Sequence, residues 1–323
     1  MRKILTCLLC FIYVGQYSFA QQDPTFSQKM LNIFSINPGA AGSEEAISTA
    51  LTYRAQWTGI SGAPRTLNAT GHMPVAPWGF ESGVGLSFTQ DEFAFDKDVS
   101  VSAAYAARFS VATGTLSAGL SLGLISKNLQ PEWYIPGSGN TSLPIDDPDI
   151  PSGGKSNYVM DLGLGVFYNT ETWYAGVSVT HINSPSLSIS MDSGNSSVST
   201  GKYDIKPNFY AHAGKIMELN NPKWQIIPAI MIHTDLSATQ YYGNIRALYN
   251  KTVWGGVSYR PDDAVVIMTG VDFISGLSLS YAYDITTSQM AQYSKGSHEI
   301  MAGYKIMLKQ ERGSKKYKSI RFL

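Results

Sequence analysis

The chain has 323 residues, 24 basic and 24 acidic, with 30 Gly, 19 Tyr, 13 Phe and only 15% charged residues. Soluble domains average about 25% charged, so this composition is poor in the groups that keep a water-facing surface soluble. The zero formal charge offers no global field for nucleic acid, and no segment past the N-terminus holds the roughly 18 consecutive apolar residues of a membrane helix.

The chain opens with Met1-Arg2-Lys3, an apolar stretch from Ile4 to Tyr17, and Ser18-Phe19-Ala20. Basic start, apolar core and small residues at the last and third-last positions are the layout of a secretory signal peptide cleaved after Ala20. Cys10 lacks the preceding small residue of a lipidation site. Both cysteines, Cys7 and Cys10, leave with this leader, as do Arg2 and Lys3, which leaves 22 basic against 24 acidic residues. The mature chain is then expected to have no thiol chemistry. Residues 21–45 are polar, carry Pro24, Pro38 and Gly39, and are expected to begin in the periplasm as a segment that is a possible plug.

From residue 46 onward the dominant signal is alternation with period two, which argues for strands. Val99, Val101, Ala103, Tyr105, Ala107 and Phe109 alternate with Ser100, Ser102, Ala104, Ala106 and Arg108. Leu116, Ala118, Leu120, Leu122 and Leu124 alternate with Ser117, Gly119, Ser121 and Gly123. Fourteen such segments are expected, near 46–57, 66–76, 80–90, 98–109, 115–126, 157–168, 172–182, 206–217, 223–233, 241–249, 252–260, 264–273, 276–286 and 297–308. Most are about 10 residues long, enough to cross a bilayer when tilted.

The connections sort by parity. Connections two, four, six, eight, ten and twelve are short, such as Asn169-Thr170-Glu171 and Ile274-Ser275, while the odd ones include 58–65, 91–97, 127–156, 183–205, 234–240 and 287–296; only Pro261-Asp262-Asp263 is short among them. Outer-membrane barrels have short periplasmic turns and longer external loops. The expected fold is therefore all-β: a closed antiparallel transmembrane β-barrel of about 14 strands over residues 46–308, in the outer membrane, with both ends periplasmic. Only a closed barrel satisfies strand backbones in lipid. Residues 309–323 form a basic tail on the periplasmic side.

Motifs for chemistry are absent. His72, His181, His212, His233 and His298 show no metal-ligand spacing, and there is no HExxH, CxxC, GxSxG or Walker sequence. No catalytic residue, cofactor or metal site is expected, and the chain is not expected to be an enzyme. The acidic loop Asp146-Asp147-Pro148-Asp149 is read as a solvated loop rather than a calcium site. Gly83, Gly85, Gly163 and Gly165 sit mid-strand and are read as small inward residues. Charges facing an enclosed lumen need partners. Arg54 and Gln56 near the outer end of the first strand and Glu299 near that of the last should meet across the closing seam, with Asp284 one strand away. The cluster is either a structural lock or part of a client-binding mouth.

These residues also carry a family resemblance. Gln21-Gln22-Asp23-Pro24-x-Phe26-Ser27-Gln28, Asn37-Pro38-Gly39-Ala40-Ala41-Gly42-Ser43, Tyr53-Arg54-x-Gln56-Trp57, Gly62-Ala63-Pro64-x-Thr66, Tyr283-Asp284-Ile285-Thr286 and Gly296-Ser297-His298-Glu299-Ile300 form an ordered set that resembles the PorP/SprF family of the Bacteroidetes type IX secretion system. Lys29 stands where that family usually has an aromatic, and Gly39 interrupts its usual Asn-Pro-Ala. The resemblance implies secretion or surface anchoring of proteins with C-terminal signal domains, gliding adhesins among them. It implies such clients, outer-membrane lipid, and the periplasmic lipoprotein and ring components of the system as partners. It also makes Asn37, Pro38, Trp57, Pro64 and His298 candidate contacts. The alternatives are a diffusion channel or small-molecule transporter and, with no motif behind it, an outer-membrane hydrolase.

Overall fold

The structure is a computed structural model that describes residues 23–44, 46–129, 154–191 and 199–308. The expected leader, the acidic loop at 146–149 and the basic tail at 309–323 lie outside the described residues.

The strands in chain order are β1 (Ala46–Ala55), β2 (Arg65–Val75), β3 (Ser82–Phe93), β4 (Asp96–Val111), β5 (Gly114–Leu129), β6 (Gly154–Ser156), β7 (Val159–Asn169), β8 (Trp173–Thr180) and β9 (Ser186–Met191). They continue with β10 (Ser199–Asp204), β11 (Asn208–Lys215), β12 (Met217–Glu218), β13 (Trp224–Thr234), β14 (Thr239–Tyr249), β15 (Val253–Arg260), β16 (Ala264–Asp272), β17 (Leu277–Thr286) and β18 (Ser297–Met307). Fourteen of them close an antiparallel barrel; β18 pairs with β1 from Ala46↔Met307 to Ala55↔His298. Strands β6, β9 and β10 belong to the outer loops, and β12 resumes β11 after Ile216.

The alternation sets the two faces. Leu120 is 50% exposed and Ile230 62% exposed on the outside, while Ser117, Thr52 and Ser258 are buried inside. A water-soluble sheet places these residue types the other way round. Apolar side chains outward and hydroxyls inward is the arrangement that suits a wall surrounded by lipid.

Two expected loops are strand instead. At 91–97, β3 runs to Phe93 and β4 starts at Asp96, joined by a tight turn with Ala94 at φ 53°. Within 183–205, β9 and β10 form a hairpin. In both cases the pairing continues after the apolar alternation stops, because a strand that has left the bilayer has no lipid-facing side to fill.

Residues 23–44 lie within the barrel rather than beneath it. Asp23 meets His181 just beyond β8 at the outer end, and Glu44 meets Lys305 at the inner end. Between them the chain makes three short 3-10 turns, Lys29–Leu31, Ile33–Ser35 and Pro38–Ala40. The last begins where the Asn37 side chain accepts from the Gly39 amide and Pro38 takes the first position, a common helix start.

Candidate functional site

The luminal segment crosses the barrel diagonally. Near the outer mouth it lies against β1, β15, β17 and β18: Ser27 donates to Glu299 and Asp284 and accepts from Arg54 and Arg260. In the middle it moves to the opposite wall, where Phe34, Ala40 and Ala41 pack with Ala104, Ala106 and Phe167. Ile36 packs with Tyr210, Met231 and Tyr242. Leu31 packs against Trp254, Val266 and Met268.

Inward glycines make room for this crossing. A Cβ on Gly119 would collide with the Pro38 backbone, and one on Gly165 with Asn37 Oδ1. Both glycines are spaced along the inward faces of β5 and β7, where the alternation leaves a position with no side chain. Asn37 is fully buried there; its Nδ2 donates to the Val166 carbonyl at 3.1 Å and lies 3.2 Å from His212 Nε2.

The outer end holds an ion-pair cluster. Arg54 Nη2 is 2.7 Å from Asp284 Oδ2, and Nη1 is 3.2 Å from Glu299 Oε2. Arg260 Nη2 is 2.6 Å from Asp284 Oδ2, and its Nε is 2.7 Å from Asp263. Glu299 accepts from the amides of Ser27 at 2.7 Å and Gln28 at 2.9 Å. Ser27 Oγ donates to Asp284 at 2.6 Å, while Arg54 Nη1 donates to Ser27 Oγ at 2.6 Å. Each buried charge thus has an opposite charge and further hydrogen bonds, which buried ions require. The seam and the luminal segment share one set of bonds.

A second latch holds the start of the segment. His181 stands between Asp23 and Asp161, 2.7 Å from each. Asp23 also accepts from Tyr210 Oη at 2.7 Å and Thr180 Oγ1 at 3.0 Å. Burial alone would lower the His181 pKa, but the charge of Asp23 and the hydrogen bonds with both carboxylates push it up to about 10. Burial would raise Asp23; the His181 charge and the bonds from His181 and Tyr210 hold it well below the usual carboxylate range. Lys29 is 3% exposed and its Nζ has no hydrogen-bond partner.

The structure brings Arg54, Asp284 and Glu299 together and leaves Gln56 out. Gln56 follows the last residue of β1, and its amide donates to the Pro64 carbonyl; inward alternation does not extend past the strand end. Trp57 has φ 47° and its amide donates to Ser297 Oγ. His298 is on the outward face, with Nδ1 2.6 Å from Tyr281 Oη. Arg260, Asp263, Ser27, Asp23, His181 and Asp161 were not singled out by spacing. Arg260 and Asp161 carry one sequence signal, inward parity near an outer strand end; Asp263 and His181 lie just past strand ends, and Asp23 and Ser27 stood out only within the N-terminal motif. Among the described residues, no group of three or more His, Cys, Asp and Glu side chains is placed to hold a metal ion.

The family model described as type IX secretion system membrane protein PorP/SprF matches residues 18–304. The chain belongs to this PorP/SprF family. No curated protein matches it. Among solved structures it is similar to the CymD monoaromatic hydrocarbon channel, with 12% identity, TM-score 0.51, and coverage of 91% of this chain and 96% of that one. It is also similar to the Pseudomonas putida toluene transporter TodX, with 12% identity, TM-score 0.43 and coverage of 89% and 95%. Acinetobacter baumannii Omp33 gives 8% identity, TM-score 0.44 and coverage of 81% and 99%. At 12% identity the likeness to CymD shows the barrel fold alone. Family and fold together make this PorP/SprF member an outer-membrane β-barrel of the type IX secretion system.

Proposed function

We propose that this PorP/SprF barrel supports secretion or cell-surface anchoring of proteins with C-terminal signal domains, gliding adhesins among them, and does no chemistry of its own. In this reading its clients meet the outer loops, and its inner end meets the periplasmic lipoprotein and ring components of the system. The leader is removed after Ala20.

The lumen crossed by residues 23–44, with a cavity of about 810 Å³ left on its inner side, is the observation that carries the proposal. A diffusion channel needs a continuous water path, and here residues 23–44 run from outer mouth to inner mouth, held at both ends by ion pairs. Such a wall-to-wall segment suits a protein that holds other proteins at the membrane better than one that passes solutes.

The test is a strain lacking the chain, complemented by the wild type. Loss of surface-displayed proteins with C-terminal signal domains, with uptake of small solutes unchanged, is the expected result. Normal display with a growth defect on one solute would favour the transporter reading.

A further inference from the structure

The outer wall has a hollow of about 360 Å³ over β7, β8, β11 and β13. Two cross-strand rows form it. One is Val166–Val177–Ala211–Ile232, and the other is Tyr168–Ala175–Ala213–Ile230. In the second row two adjacent alanines stand between a tyrosine and an isoleucine, so the wall dips. The floor is thin: inward Gly176 is paired with His212, which also borders the hollow.

The next outward positions toward the inner end are Trp173 and Lys215, which face each other across β8 and β11. The Trp173 ring is 5.0 Å from that of Tyr168. Lys215 is exposed, and no carboxylate among the described residues is within ion-pair distance of it. By strand parity, it is the one charged side chain that the outward faces of the barrel strands carry at the inner rim, among the described residues. A lone ammonium on a lipid-facing wall sits at the interface beside interfacial aromatics, where anionic headgroups collect.

We propose that this hollow is a binding site for an anionic phospholipid of the periplasmic leaflet. One acyl chain fills the dip over Ala175, Ala211 and Ala213, and the phosphate meets Lys215 beside Trp173. The occupant follows from the surroundings, because an apolar dip in a wall bathed by lipid is filled by hydrocarbon, and the unpaired lysine selects the headgroup charge. The proposal rests on the barrel fold and not on the secretion role, so failure of one leaves the other standing.

The test uses the full chain in nanodiscs of phosphatidylethanolamine with a minority of phosphatidylglycerol, released into mild detergent and weighed by native mass spectrometry. The wild type should retain one phosphatidylglycerol. Lys215→Gln should lower that occupancy about fivefold, the weight of one lysine at an anionic lipid surface, and Lys215→Arg should restore it. Ala211→Leu with Ala213→Leu fills the dip and should remove retention of either lipid. Equal retention of the two lipids by the wild type, or unchanged retention in Lys215→Gln, would overturn the proposal. The lysine variants leave the wall packing untouched, so the test stands even if the leucine variant does not fold.

Discussion

Arg54 and Asp284 lie on strands that do not pair, yet Arg54 Nη2 is 2.7 Å from Asp284 Oδ2, and both side chains are 1% exposed. Strand β18 runs between them, and its Glu299 takes the other arm of the same guanidinium. Removing one partner of a buried ion pair costs about 3–5 kcal/mol. Arg54→Met should therefore lower the temperature at which the purified barrel converts to its unfolded gel mobility. An unchanged conversion temperature would count against the seam as a source of stability.

The glycine trough gives a second outcome. Gly119→Val and Gly165→Val each put a branched side chain where Pro38 and Asn37 now lie. The barrel should still insert, but the luminal segment should no longer dock. Lys29, buried in the wild type, then becomes open to trypsin. Cleavage after Lys29 in the variants and protection in the wild type are expected; equal protection would show that the trough does not seat the segment.

The latch around His181 makes docking depend on pH. The folded pKa of His181, about 10, is above its ordinary 6.5, so its contribution is full below about pH 6.5 and is lost as pH rises toward 10. Asp161 stays beside His181 when the segment undocks, so the loss of docking should begin above pH 6.5 and run toward pH 10. A spin label at Thr25→Cys should gain a mobile component across that window. His181→Gln should remove the rise, and a rise that survives it would contradict the assignment.

The outer loops offer a functional outcome. Cutting the loop at 127 would remove Lys127, which is 2.8 Å from Asp96 and 3.1 Å from Asp98. Deletion of 130–153 spares those pairs. It should leave the barrel inserted and reduce client display at the cell surface, read by whole-cell labelling. Full display would place client contacts elsewhere.

Much of the barrel was legible from alternation alone, since the lipid face demands an apolar residue at every second position of a spanning strand. The pairing of Arg54 with Glu299 follows from closure, because the first and last strands are neighbours in register. Arg260 was not legible, because two strands separate β15 from the seam and it joins Arg54 only through the shared Asp284 and Ser27. The path of residues 23–44 has no period to read. Asn37 and Pro38 stood out as a motif, but their seats at Gly165 and Gly119 depend on where the wall lacks side chains. Gln56 fell outside the cluster because β1 ends at Ala55, one residue short of it.

The central claim is a barrel closed by its own residues 23–44, and planar-bilayer conductance tests it most directly. The wild type should show no steady current, and deletion of 23–44 should open a stable pore. A steady wild-type current that the deletion leaves unchanged would contradict the account.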